Sequence, residues 1–214
     1  YTSDGNSFNK PYPCLLADCG AFDNLGNPGA PVGLARAAWG LDTSPWIGVQ
    51  PVNHPGVKPA KAVWRGSNAI ASWSWKGCDG NKAIVEVYSS APQIEVFLNG
   101  KSLGKKKPKL CKAVYKTKYV PGTLEAVSYD ANGSELERTI LKTAKETNIA
   151  VHPEKSAAKP GEILFVPITV SDAEGIVESN ADRKLKVSVE GGELLAFGSA
   201  NPRTEERFDT GEYS

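Results

Sequence analysis

The chain has 214 residues, of which 40% are hydrophobic, and this is enough apolar material for one large or two small domains with real cores. Its 25 basic and 24 acidic residues nearly cancel, so it lacks the electrostatic footprint of a nucleic-acid binder or of a protein that binds anionic membranes. No apolar run approaches the roughly 18 residues of a membrane span, so we expect neither a nucleic-acid nor a membrane partner.

The first 43 residues are predicted to be the tail of a larger domain. Most of this segment consists of turn-forming residues without a sustained period, and the chain has no Met, which suggests a piece of a longer polypeptide. Residues 32–40, VGLARAAWG, favour one short helix that Gly40 ends. Its apolar side is predicted to consist of Leu34, Ala35, Ala38 and Trp39. One short helix cannot form a core, so the body of that domain must lie elsewhere.

Residues 44–61 are rich in proline and begin with a short apolar run, which predicts a strand-like connector of restricted flexibility. From residue 62 onwards, short strand signals alternate with turns and no helical pattern follows, which is typical of antiparallel β-sandwiches. We predict an immunoglobulin-like sandwich over 62–145 and a second over 146–214, which is cut short because it shows only about five strands where about seven are needed. The predicted strands are 83–88, 114–120, 124–130, 139–143, 149–151, 163–170, 185–189 and 194–197.

The clearest local signal is a β-hairpin at 93–104, QIEVFLNGKSLG. Asn99-Gly100 supplies the dipeptide that tolerates positive φ at both central positions of a type I′ turn. Counting back from this turn pairs Leu98 with Lys101, Phe97 with Ser102 and Val96 with Leu103. The buried face is therefore predicted to carry Ile94, Val96 and Leu103.

No cofactor or metal site is expected. The cysteines have no CxxC spacing and no nearby histidine, so buried free thiols are the preferred interpretation, although four cysteines could also pair. Free thiols favour a reducing compartment and, slightly, a cytoplasmic location over export. The residues concerned are Cys14, Cys19, Cys78, Cys111, His54 and His152.

The sequence contains no nucleophile elbow, zinc-protease motif or phosphate loop, and no carboxylate pair is set up for glycoside hydrolysis. Trp73 and Trp75 lie two residues apart, so on a strand both would point to one face. That face would be a flat platform for a sugar ring, or else a packed aromatic pair, which is the preferred interpretation. KKKPK at 105–109 is typical of a solvated strand end whose charges and proline discourage edge pairing, with an anion site as the alternative.

Five sequence blocks in this order and spacing resemble the region downstream of the barrel in glycoside hydrolase family 2 enzymes of the bacterial β-galactosidase type. The blocks are WSWKG at 73–77, VEVYS at 85–89, EVFLNGKSLG at 95–104, YVPGTLEA at 119–126 and LKTA at 141–144. Residues 149–214 resemble the immunoglobulin-like domain that follows in those enzymes. Asp18-Cys19-Gly20, Asp23 and the predicted helix resemble the last loop and helix of their (β/α)8 barrel. The resemblance thus implies a mainly β fold with two tandem sandwiches after a barrel tail.

The resemblance implies a retaining exo-glycosidase that acts on β-galactosides or related β-glycosides through two glutamates. Both lie upstream of Tyr1 in the family pattern, so no catalytic residue is assigned here and the chain alone is expected to be inactive. Residues 1–9 would follow the last barrel strand, where Asp4 or Asn6 would approach substrate or lie on a surface loop.

The expected partner is the catalytic barrel of the same polypeptide, which the sandwiches would brace while shaping substrate access. Carbohydrate would then be contacted indirectly, and association with further copies of the chain stays open. Two rival hypotheses are a carbohydrate-binding module that uses Trp73 and Trp75, and a non-catalytic structural or adhesive module.

Overall fold

A computed structural model describes residues 20–23, 25–41, 43–52, 66–199, 207–209 and 211–213. The elements are one helix, α1 (Ala30–Ala38), and the strands β1 (Trp46–Val49), β2 (Lys82–Tyr88), β3 (Gln93–Leu98), β4 (Lys101–Lys106), β5 (Lys112–Lys118), β6 (Thr123–Tyr129), β7 (Glu135–Lys142), β8 (Asn148–Val151), β9 (Ile168–Ser171), β10 (Leu185–Lys186) and β11 (Glu212–Tyr213). The predicted mainly β fold is confirmed. Within the described ranges, no helix is long and apolar enough to cross a membrane.

The first sandwich consists of two antiparallel sheets, with strand orders β1-β2-β5 and β4-β3-β6-β7. Strand β1 lies in the segment predicted to be a connector. It pairs with β2 from Trp46 opposite Tyr88 to Val49 opposite Val85, so the sandwich begins earlier than residue 62. The apolar run of β1 supplies buried residues to the core, which is why it forms part of the sheet rather than a linker.

The core lies between the two sheets and takes alternate residues from β2 and β3. Val85 and Val87 of one sheet face Ile94, Val96 and Leu124 of the other, and all five are fully buried. This is the period-2 burial that a strand with one face in a core requires.

The hairpin β3–β4 is confirmed, and its register is correct only near the turn. Asn99 and Gly100 have φ values of 50° and 78°, and Leu98 pairs with Lys101 as predicted. Phe97 pairs with Ser102 as predicted, but the predicted single pairing of Val96 with Leu103 is replaced by a β-bulge, in which Leu103 and Gly104 lie between the partners of Phe97 and Glu95. Gly104 has a φ of 102°, a backbone conformation that residues with a Cβ avoid.

The second unit pairs β8 with β9 and β10 with β11. The predicted strand over 163–170 is reduced to Ile168–Ser171, and 194–197 forms no strand. Phe165 is 66% exposed and Leu195 is 59% exposed, so these apolar side chains have no opposing layer among the described residues. Without that layer the alternating pattern of the sequence does not become a regular sheet.

Candidate functional site

Trp73 and Trp75 lie inside the first sandwich, in an extended segment that belongs to no strand. Their exposed fractions are 0% and 4%, and the Trp73 ring packs against Tyr119 with centroids 5.0 Å apart. The Trp73 indole N–H donates to the Val120 carbonyl at 3.0 Å. Neither indole has a face free for a sugar ring, so the hypothesis of a sugar-stacking platform at these residues is corrected to that of packed core aromatics.

Tyr119 and Thr143 hold this segment in place from the inside. The Trp75 backbone N–H donates to the Tyr119 hydroxyl at 3.1 Å, and the Thr143 hydroxyl donates to the Trp73 carbonyl at 2.7 Å. The Gly122 N–H in turn donates to the Thr143 hydroxyl at 3.0 Å. Burial raises the pKa of the Tyr119 hydroxyl, which therefore stays neutral. These hydrogen bonds fix the backbone of an irregular segment that has no sheet ladder of its own.

The same segment makes a polar joint with the second unit. Glu178 is 7% exposed, and its carboxylate accepts from the Ser74 hydroxyl at 3.1 Å and from the Lys76 N–H at 3.0 Å. The Ser179 N–H donates to the Ser74 carbonyl at 3.1 Å. A buried carboxylate with several donors is favourable only in this geometry, so the joint fixes one arrangement of the two units.

A second set of contacts lies where β7 leads into the second unit. Asp172 accepts from the Lys145 N–H at 3.0 Å and from the Ile176 N–H at 2.9 Å, and these two bonds hold the pKa of Asp172 below its usual value. Lys142 and Lys145 both form ion pairs with Glu174, at 2.9 and 2.6 Å. The link between the units is therefore hydrogen-bonded along its length rather than a free linker.

Glu86 is a buried carboxylate on the outer face of β2, 2% exposed. It accepts from Gln50 Nε2 at 2.7 Å and from the Tyr88 hydroxyl at 2.5 Å, and its ion pair with Lys112 Nζ measures 2.9 Å. Burial acts to raise the pKa of Glu86, but the hydrogen bonds from Ser67, Tyr88, Gln50 and Lys112 outweigh it and lower that pKa. Burial and the Glu86 charge raise the pKa of Tyr88.

Tyr88 connects this carboxylate to α1. The Tyr88 and Trp46 rings lie 5.7 Å apart between the sheet and the helix. Ala30, Gly33 and Ala37 form the buried side of α1. A Cβ on Gly33 would come within 2.6 Å of the Trp46 ring, so the glycine permits this close approach.

The predicted apolar side of α1 is the exposed one. Trp39, at the helix end, is 76% exposed and Leu34 is 39% exposed. Ala30, Gly33 and Ala37 pack on the sandwich because their small side chains allow the backbone to approach the Trp46 ring. Larger apolar side chains of the helix and its C-cap residue therefore remain exposed.

Two buried carboxylates of the described region are bound within their own surroundings. Glu86 and Glu178 each bind donors of their own surroundings, and no group of three or more His, Cys, Asp or Glu in the described ranges could hold a metal. Asp4 and Asn6 lie outside the described residues. Sequence reasoning missed Glu86 and Glu178. For Glu86 a signal existed, since it is the only acid within the apolar run AIVEVY.

The chain matches two family models. Residues 148–214 match the model described as glycoside hydrolase family 2 C-terminal domain 5, and residues 80–137 match one described as a domain of unknown function (DUF4982). A relative from Bacteroides ovatus, named beta-galactosidase BoGH2A, is 29% identical over 126 residues, which is 56% of this chain and 15% of that protein. A putative beta-glucuronidase from Formosa agariphila is 44% identical over 71 residues, which is 31% of this chain and 7% of that protein.

Among solved structures, a glycosyl hydrolase family 2 member from Bacteroides cellulosilyticus is similar, with a TM-score of 0.78 and 27% identity over 92% of this chain and 27% of that one. The fold and these matches define the class: a β-sandwich region similar to part of a glycosyl hydrolase family 2 member. The chain is similar to glycoside hydrolase family 2 members, and its residues 148–214 match C-terminal domain 5 of that family. It spans 15% and 7% of the length of the two relatives named above.

Proposed function

We propose that this chain is the accessory C-terminal region of a retaining β-glycosidase that hydrolyses terminal β-galactosides, and that it braces the catalytic barrel and shapes substrate access. The similarity to BoGH2A, named a beta-galactosidase, supports this substrate. The catalytic glutamates belong to the barrel in this proposal.

The observation that carries the bracing role is the exposed apolar surface of α1 and its C-cap residue. Large apolar side chains exposed beside a packed helix mark a surface for contact with another layer. One layer is the sandwich, which covers Ala30, Gly33 and Ala37. Trp39 and Leu34 remain exposed, and the barrel of the same polypeptide is the layer that would cover them.

A β-glucuronidase is the second candidate, and the 44% identity to the putative beta-glucuronidase of Formosa agariphila favours it. The two candidates differ in the sugar that the barrel accepts, not in the role of this region. A carbohydrate-binding module that uses Trp73 and Trp75 loses its support because both indoles are buried.

Hydrolysis by the full-length protein tests the activity. The protein should release p-nitrophenol from p-nitrophenyl β-galactoside much faster than from the matching β-glucuronide. The reverse preference would establish the second candidate, and turnover of neither would contradict the glycosidase assignment.

The bracing role is tested with Trp39→Ser in two settings. In the 214-residue chain the substitution should change the free energy of unfolding by less than about 0.5 kcal/mol, because Trp39 is 76% exposed there. In the full-length protein it should cost about 2 kcal/mol or more, because the barrel would bury the ring. Leu136→Ser, on β7 and 44% exposed, is the control and should behave alike in both settings. Equal effects of Trp39→Ser in the two settings would contradict the role.

A further inference from the structure

Positive charge is concentrated in one stretch of the first sandwich. Residues 101–118 contain eight of the 25 basic residues of the chain and none of its 24 acidic residues. This stretch comprises β4, β5 and their connection. The total charge is near neutral because this strongly basic stretch offsets an excess of acidic residues in the rest of the chain.

A shallow depression of about 500 Å³ lies at one end of this stretch, where β4 ends, β3 begins and the turn after β6 passes. Its lining consists of Pro92, Gln93, Lys105, Lys106, Lys107 and Ala131. The lining thus combines three consecutive ammonium groups, one amide and two small apolar surfaces, and contains no carboxylate. Its volume lies within the range of about 300–1,000 Å³ that sites for small ligands have, and it is widely open to solvent.

Two of the three lysines are held in position by aromatic rings. Lys105 Nζ lies 3.5 Å from the centroid of the Tyr129 ring, and Lys106 Nζ lies 4.4 Å from that of Tyr115. Lys106 also donates to the Val114 carbonyl at 2.6 Å. Cation–π contacts of this kind reduce the freedom that a lysine would lose on binding an anion.

The charge of the depression is only slightly neutralised from within. Glu95 Oε2 lies 3.9 Å from Lys105 Nζ, at the limit of an ion pair, and Glu95 also accepts from Ser102 and Tyr129. Lys107 is exposed and has no ion pair with any acidic residue of the described ranges. Protection of the edge strand β4 against pairing requires charge, but it does not require an amide and three ammonium groups around one depression.

We propose that this depression binds a sugar unit that carries an anionic group, either a carboxylate or a sulfate ester, in an acidic oligosaccharide. The carbohydrate part of this inference rests on the proposed glycosidase function, and the anionic part rests on the lysines. The ammonium groups of Lys105 and Lys107 pair with the anion, and the Gln93 amide hydrogen-bonds to sugar hydroxyls. The site lies on the sandwich and takes no part in bond cleavage.

Binding is measured by titration calorimetry of the 214-residue chain with four probes: trigalacturonate, a sulfated galactotriose, neutral galactotriose and sodium sulfate. We expect saturable binding of one or both acidic trisaccharides that weakens as NaCl is raised, and at least tenfold weaker binding of the other two probes. Binding of trigalacturonate alone would identify the carboxylate as the recognised group, and binding of the sulfated galactotriose alone would identify the sulfate ester. Absence of binding by both, or equal affinity for sodium sulfate, would overturn the proposal.

The double variant Lys105→Gln/Lys107→Gln locates the site. It should weaken binding of the acidic trisaccharide about tenfold, because charge-assisted contacts are lost. The matched control is Lys116→Gln/Lys118→Gln, which removes the same charge from β5 away from the depression and should change affinity less than twofold. Equal losses of affinity in the two double variants would show a non-specific polyanion surface and overturn the proposal. Tighter binding of a 20-base-pair DNA duplex than of either acidic trisaccharide would have the same meaning.

These outcomes are independent of hydrolysis. A full-length protein without glycosidase activity would contradict the proposed function while leaving the binding measurement intact. A chain that binds no acidic sugar would contradict this inference and leave the activity unaffected.

Discussion

Glu86→Gln tests whether the carboxylate at the seam between the sandwich and α1 stabilises the fold. The substitution keeps the shape of the side chain and removes its charge. Gln50, Tyr88 and Lys112 all donate to Glu86 within 3.0 Å, so the new amide places an N–H₂ group opposite donors and leaves the Lys112 ammonium without a counter-charge. Breaking a buried ion pair costs about 3–5 kcal/mol, and water reaches Lys112, whose side chain is 29% exposed. We therefore expect a loss of about 2–3 kcal/mol.

The free energy of unfolding is measured by urea denaturation at pH 7 with tryptophan fluorescence, since Trp46 and Trp73 lie in the same sandwich. Glu125→Gln is the control because Glu125 pairs with Arg138 at 2.6 Å on the surface, where side chains are 19% and 40% exposed. It should cost less than about 1 kcal/mol. A Glu86→Gln variant within about 0.5 kcal/mol of the wild type would refute the reasoning.

The same variant has a predicted pH dependence. The pKa of Glu86 is lowered in the folded chain relative to its ordinary value of 4.5. A lowered carboxylate pKa adds stability that is present above 4.5 and is lost as the pH falls through the folded value. The stability difference between the wild type and Glu86→Gln should therefore shrink on acidification below pH 4.5. A difference that stays constant from pH 7 to about pH 3 would contradict the assigned pKa.

Three further outcomes are expected. Tyr119→Phe should lower the free energy of unfolding by about 1–3 kcal/mol in urea denaturation, because the buried backbone N–H of Trp75 loses its acceptor. A decrease below about 0.5 kcal/mol would exclude that hydrogen bond. Gly122→Ala should destabilise by more than about 2 kcal/mol, because its φ is 132° and a Cβ would lie 1.9 Å from Asn99 Oδ1. Gly133→Ala, with positive φ and open space, should cost only about 1 kcal/mol, and equal losses would rule out the clash. The 214-residue chain should release nothing above buffer from a chromogenic galactoside, and turnover would contradict the placement of catalysis outside it.

Local chemistry explains which parts of the fold were predictable. The Asn99-Gly100 turn fixes the hairpin because the dipeptide specifies backbone angles that few other residues adopt. The bulge at Gly104 escaped prediction because a glycine in a strand fits both regular pairing and a bulge. The packed side of α1 was misjudged for a related reason. Hydrophobicity singles out Leu34 and Trp39, whereas close approach to the Trp46 ring selects Gly33 and its small neighbours.

The candidate sites were less predictable because they depend on contacts between distant segments. Glu178 accepts a hydrogen bond from Ser74, which lies 104 residues earlier in the chain, and no sequence pattern near either residue predicts that contact. The basic stretch at 105–109 was recognised from its composition, but the depression beside it requires Gln93 and Ala131. Only the fold brings those two residues to the end of β4.

The spacing of Trp73 and Trp75 has a structural meaning that links the two units. In an extended segment alternate side chains point in opposite directions, and here the two indoles point into the core of the first sandwich. Ser72 and Ser74 therefore point away from the core, and their hydroxyls contact Ser179 and Glu178 of the second unit. The segment 72–75 thus packs into the core of the first sandwich with one side and contacts the second unit with the other. Because the indoles cannot shift without opening a cavity, the serines cannot shift either, and the second unit is held in an orientation set by the packing of the first.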